Sequence, residues 1–265
     1  YEWHNKYSKY YRDEFGLRGK YSSLSNIDIL TIGGSTTNEI FVSEGYTWSD
    51  HLASLFQESG KNITVVNAGV DGQSTFGLLK NFELWFPRIP NMRARYILAY
   101  VGINDYELIE SDYYLNKQDV LEERHRPVRR YIQNNSALYA LFRNIRGMIR
   151  ARKANLVHSQ KGYDGTQWAA SATPPDIGKY QREHSIDLAK YSGRLRLLAS
   201  KIRDFGAEPI IVTQHKGSYR LVDRQVFGRP GTDGKPILSE FIGLSAINYA
   251  TLSMCLEVKA ICIDL

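Results

Sequence analysis

The chain has 265 residues, of which 43% are hydrophobic and 12% aromatic. That is enough apolar material for one large domain with a real core, and it excludes a disordered chain. The formal net charge of +6 suits an ordinary charged surface; no nucleic-acid recognition motif accompanies it, and no apolar run approaches the roughly 18 residues of a membrane span.

The chain opens on Tyr1, not Met, without a signal-peptide pattern. It is therefore expected to be a processed or cut piece, and membrane association through a lost N-terminal anchor stays open, with an extracytoplasmic or membrane-anchored setting favoured. Residues 1–26 are aromatic and charged with no clear period, and read as a lead-in segment lying on the domain. Residues 27–265 read as one α/β domain. Its first strand is IDILTI, Ile27 to Ile32, bounded by Asn26 and by Gly33-Gly34. Trp48, Leu52, Leu55 and Phe56 recur at helical spacing up to a stop at Gly60. NITVVNAG (Asn62 to Gly69) is the second strand, TFGLLKNFELWF (Thr75 to Phe86) the second helix, and RYILAYVG (Arg95 to Gly102) the third strand.

The alternation breaks over about 106–180, which reads as an insertion. Leu138, Leu141, Phe142, Ile145 and Ile149 mark one face of an amphipathic helix there, with arginines opposite, and Ser159 to Asp176 reads as a polar loop. Alternation resumes with a long helix from Ile186 to Gly206 and a fourth strand, EPIIVTQ. A polar loop carrying Gly228, Pro230, Gly231 and Gly234 leads to a helix over Leu238 to Val258 and a fifth strand, KAICIDL. Strands alternating with helices predict a three-layer α/β/α sandwich on a flavodoxin-like, parallel five-stranded sheet. Cys255 and Cys262 show no zinc or Cys-x-x-Cys spacing and read as core residues.

Ligands of such sheets bind at the carboxyl ends of the strands. Three strand ends are chemically loaded here: Gly33-Gly34-Ser35-Thr36-Thr37, Asn67-Ala68-Gly69-Val70-Asp71-Gly72-Gln73-Ser74 and Gly102-Ile103-Asn104-Asp105. No Lys follows the first glycines as a P-loop requires. The dinucleotide spacing Gly-x-Gly-x-x-Gly is absent, and Thr37 stands where a nucleophile elbow has its last glycine. Taken one at a time, Ser35 could cap a helix, Asn104 could shape a turn, and Gly72 could be a left-handed turn residue.

In that order, GGSTT, NAGVDGQS and VGIND resemble the blocks of the SGNH (GDSL-type) esterase and acetylhydrolase family, over about Ile27 to Leu265. The resemblance implies that Ser35 is the nucleophile. It also implies an oxyanion hole formed by the Ser35 N–H, the Gly72 N–H and the Asn104 side-chain amide. Neutral donors held in place suit a tetrahedral oxyanion. The implied reaction is removal or transfer of an O-acyl group, such as acetyl, on a carbohydrate or lipid, with no metal or organic cofactor needed. Its partner is a small-molecule or glycan ester, with no nucleic acid. Tyr106, Tyr113, Tyr114 and Trp168 are candidate sugar-stacking rings on the rim.

The sequence departs from the family pattern in two places. Gly34 stands where the signature has Asp. The family's base is a His three residues after an Asp, beyond the fifth strand, and none of the six histidines has an Asp three positions before it. A final helix covering one sheet face is also missing, so the expectation is a fragment. His215, just after the fourth strand, is the candidate substitute base or substrate-contacting residue. Two rival readings are a non-catalytic glycan-binding or scaffold protein of the same fold, and a flavodoxin-like anion or nucleotide binder using the glycine turn as a cradle.

Overall fold

The computed structural model describes residues 2–3, 6–110 and 167–265. Two compact units are distinguished, Tyr1–Glu110 with Trp168–Leu265, and Ser111–Gln167. The first unit carries the main sheet and its helices. The predicted amphipathic helix and the rings of Tyr113 and Tyr114 lie outside the described residues.

A short ladder, β1 (Glu2–Trp3) with β2 (Lys6–Tyr7), precedes the main sheet. The sheet itself contains β3 (Ile27–Gly33), β4 (Val65–Asn67), β5 (Ala94–Tyr100), β7 (Glu208–Val212) and β11 (Ile261–Ile263). Their spatial order is β11-β7-β5-β3-β4 and every pairing is parallel. This is the flavodoxin-like order, with its switch point beside β3. The chain thus has the five-stranded parallel α/β architecture that the SGNH resemblance implies.

Strand residues alternate between two apolar layers, as the two-residue pleat demands. Leu30, Ile32, Ile97, Ala99 and Ile211 face the larger layer. That layer is built from α3 (Thr75–Leu84), α6 (Ser185–Asp204) and α7 (Ser239–Glu257), with α5 (Ile177–Glu183) packed beside α7. Ile29, Leu98, Ile210 and Val212 face the other way, toward Trp48, Leu52 and Phe56 of α2 (Trp48–Glu58). A reciprocal cap starts α2: Thr47 Oγ1 accepts from Asp50 N, and Asp50 Oδ2 accepts from Thr47 N. Beyond α2 the second face opens into a trough of about 640 Å³ bordered by Leu98, Val212 and Ile263.

The structure corrects three local readings. Within the expected polar loop after the fourth strand, β8 (Tyr219–Val222) and β9 (Gln225–Pro230) form a hairpin extended by β10 (Pro236–Ile237). Its turn residues Asp223 and Arg224 both have positive φ, a task usually given to Asn-Gly, so the turn signal was weak. Ala169–Ala170 (β6), expected in a loop, pairs with β9. Cys255 and Cys262 are not merely core residues: they form a disulfide joining α7 to β11.

Candidate active site

The first strand of the main sheet, β3, ends at Gly33, and Gly34 is the N-cap of a single-turn helix, α1 (Ser35–Asn38). Ser35 is therefore the first helical residue and not the cap. The C-cap, Glu39, adopts the left-handed conformation and donates its N–H to Ser35 O at 2.8 Å. Asn67, at the end of β4, braces this turn from behind. Its Nδ2 donates to Thr37 O at 2.6 Å, and its Oδ1 accepts from Gly69 N at 2.9 Å. The two loops touch closely, since a Cβ on Gly69 would lie 2.4 Å from Asn38 N.

Gly72 is exposed and has φ +73°, a left-handed conformation that strains any residue with a Cβ. After β5, the chain turns at Gly102 into α4 (Ile103–Glu110), whose second residue is Asn104. Asn104 Nδ2 donates to Gln73 O at 2.7 Å. The same nitrogen lies 2.1 Å from where a Cβ on Gly34 would be. The structure therefore brings the Ser35 turn, the Gly72 loop and Asn104 together at the sheet's switch point. The Asn104 amide fills the space that a side chain on Gly34 would need.

Asp105, next to Asn104, is fully buried. Its carboxylate accepts from Thr75 N at 2.9 Å and Thr75 Oγ1 at 2.6 Å, and pairs with Arg194 at 3.1 Å. Burial drives its carboxyl upward, opposed by the Arg194 cation and the Thr75 donors, and the net shift is upward. The cluster fastens the start of α4 to the start of α3, on either side of the Asn104–Gln73 bond.

Sequence reasoning missed Gln214. Its Oε1 accepts from Ile103 N at 2.6 Å and its Nε2 donates to Thr36 Oγ1 at 2.8 Å. One side chain just beyond β7 thus joins the first and third blocks. Its partners are 111 and 178 residues away in sequence, so no local pattern announces it. Its neighbour His215 is exposed, with its ring 4.5 Å from that of Tyr219. Partial burial pulls the imidazole below its ordinary value. Among the described residues, no hydrogen bond joins His215 to Ser35. Tyr106, a candidate stacking ring, is buried in the core against Gly243, while Trp168 carries Arg220 over its ring at 4.4 Å.

No family model and no curated protein matches the chain. Solved structures do. AlinE4, described as an SGNH-hydrolase family esterase, is 11% identical with a TM-score of 0.45, covering 90% of this chain and 75% of its own. Axe2, an acetylxylan esterase from Geobacillus stearothermophilus, is 13% identical in one variant with a TM-score of 0.44, covering 90% and 75%. TesA is 12% identical with a TM-score of 0.43, covering 89% and 76%.

Proposed function

We propose that this chain carries the nucleophile and oxyanion hole of a serine ester hydrolase that removes or transfers an O-acyl group, such as acetyl, on a carbohydrate or lipid. One observation supports this above the others. Among the described residues, the N–H groups of Ser35 and Gly72 and the second amide proton of Asn104 have no protein acceptor. Three neutral donors at one strand-end crevice suit an oxygen on which negative charge develops.

In this reading Ser35 Oγ attacks the ester carbonyl carbon as its proton passes to a base. The carbonyl π electrons move onto oxygen, and the resulting oxyanion accepts hydrogen bonds from the three N–H donors. Collapse breaks the bond to the alcohol, which leaves with a proton, and water or an acceptor alcohol then takes the acyl group from Ser35. The resemblance assigns the base to the His of an Asp-x-x-His segment; His215 is the candidate substitute.

The test is labelling by a fluorophosphonate, together with hydrolysis of p-nitrophenyl acetate, using the natural full-length protein. Expected are one label on Ser35 and loss of both label and turnover in Ser35→Ala, with an unchanged circular dichroism spectrum. A Ser35→Ala variant as active as its parent removes the assignment. Glycan binding without label or turnover would move the reading to the non-catalytic binder.

A further inference from the structure

The lead-in segment reaches the site. Arg12 donates from Nη2 to Asn38 Oδ1 at 2.6 Å and, from the same nitrogen, to Gly69 O. It also donates to Gly16 O and to the Tyr10 hydroxyl, which in turn donates to Asn38 Oδ1 at 2.9 Å. The other end of the Asn38 amide, Nδ2, donates to Asp71 Oδ1 at 2.6 Å. Asp71 directly precedes Gly72.

These contacts form a chain with a fixed direction. Asn38 has a cation at its carbonyl end and a carboxylate at its amine end. Flipping the amide would set NH₂ against a guanidinium and oxygen against a carboxylate, so one orientation is enforced. A single guanidinium holds both the end of the Ser35 helix and the Gly69 carbonyl. Gly69 already touches that helix too closely for a Cβ, so little slack separates the two loops.

We propose that Arg12 is a positioning residue: it sets the distance between the Ser35 N–H and the Gly72 N–H by locking Asn38 onto Asp71 and Gly69. The inference rests on the oxyanion-hole reading of Ser35 and Gly72. It adds that the segment ahead of the first sheet strand is part of the catalytic apparatus without touching substrate. Misplacing a donor by about 1 Å can cost on the order of 100-fold in rate.

The experiment uses the natural full-length protein, with turnover counted per fluorophosphonate-titrated site so that loss of folded protein does not enter. Arg12→Ala is expected to lower kcat by about 30-fold or more with KM nearly unchanged. Added guanidinium is expected to restore part of it. Asn38→Asp, which sets a second carboxylate against Asp71 at equal size, is expected to act in the same direction and serves if Arg12→Ala does not fold. Amide hydrogen exchange over 69–73 supplies a readout independent of activity and is expected to quicken in both variants. Unchanged kcat per site, or unchanged exchange in that loop, overturns the proposal. Should the parent protein neither label nor turn over, the esterase reading fails, and the exchange measurement still decides whether Arg12 locks the loop.

Discussion

The amide nitrogen of Asn104 occupies the space a side chain on Gly34 would need, 2.1 Å from the position of its Cβ. The backbone at Gly34, φ −85° and ψ −149°, is open to other residues, so crowding and not conformation demands glycine. Gly34→Ala should therefore expel Asn104 from its place and act like Asn104→Ala. Each is expected to lower turnover by about 100-fold or more while the protein still folds. Because both remove one donor, the double variant should fall no further than Asn104→Ala alone. Additive losses would show that Gly34 acts by another route.

Asp105 and Arg194 predict a stability effect. Asp105→Ala leaves a largely buried guanidinium without its carboxylate and two Thr75 donors without their acceptor. Breaking one side of such a pair costs about 3–5 kcal/mol. Urea unfolding measures it, and a loss under about 1 kcal/mol would mean the site relaxes far more than its burial implies.

His215 gives a pH prediction. Partial burial holds its imidazole below the ordinary value. A depressed folded value means the neutral ring is favoured. Its contribution is present above the unfolded value and is lost as pH falls through the folded one. Among the described residues no hydrogen bond ties it to Ser35, so His215→Gln is expected to keep the turnover and pH profile of the parent. An acid limb that vanishes in that variant would identify His215 as the working base after all.

The Cys255–Cys262 bond closes a short loop of sequence separation 7. On the chain-entropy account, such a loop contributes about 2.5 kcal/mol. Reductant, or the paired change of both cysteines to Ala, should lower stability by that order in urea. A bond of this kind belongs to an oxidising compartment. Free thiols in protein isolated without reductant would contradict it.

The strand-end blocks were legible because each is local: a run of β-branched residues, then a short stretch of glycine and small polar groups. Ser35, Gly72 and Asn104 were singled out because the order of these stretches resembles the SGNH blocks; taken one at a time, each also reads as an ordinary cap or turn residue. The groups that orient them were not legible. Gln214, Asn38 and Arg12 work through partners dozens to more than a hundred residues away, and the lead-in segment has no repeat. Its Arg18 is buried and sequestered among the carbonyls of Glu39 and Val42 and the carboxylate of Glu44. Composition alone would place such a residue in solvent. Tyr106 was misread for the opposite reason: an aromatic just after a strand-end block suggests a rim, but helical phase turned it into the core.

The lead-in strap also implies an order of assembly. Arg12 grips groups 26 and 57 residues away, on the loops that follow β3 and β4. Neither grip exists until those two parallel strands have paired, and closing such separations is slow compared with forming helices. The link between the Ser35 turn and the Gly69 loop is therefore completed after the sheet. A refolding chain should regain its backbone spectrum first and its reactivity toward fluorophosphonate later, with the lag set by docking of a segment that precedes the sheet in sequence and joins it last.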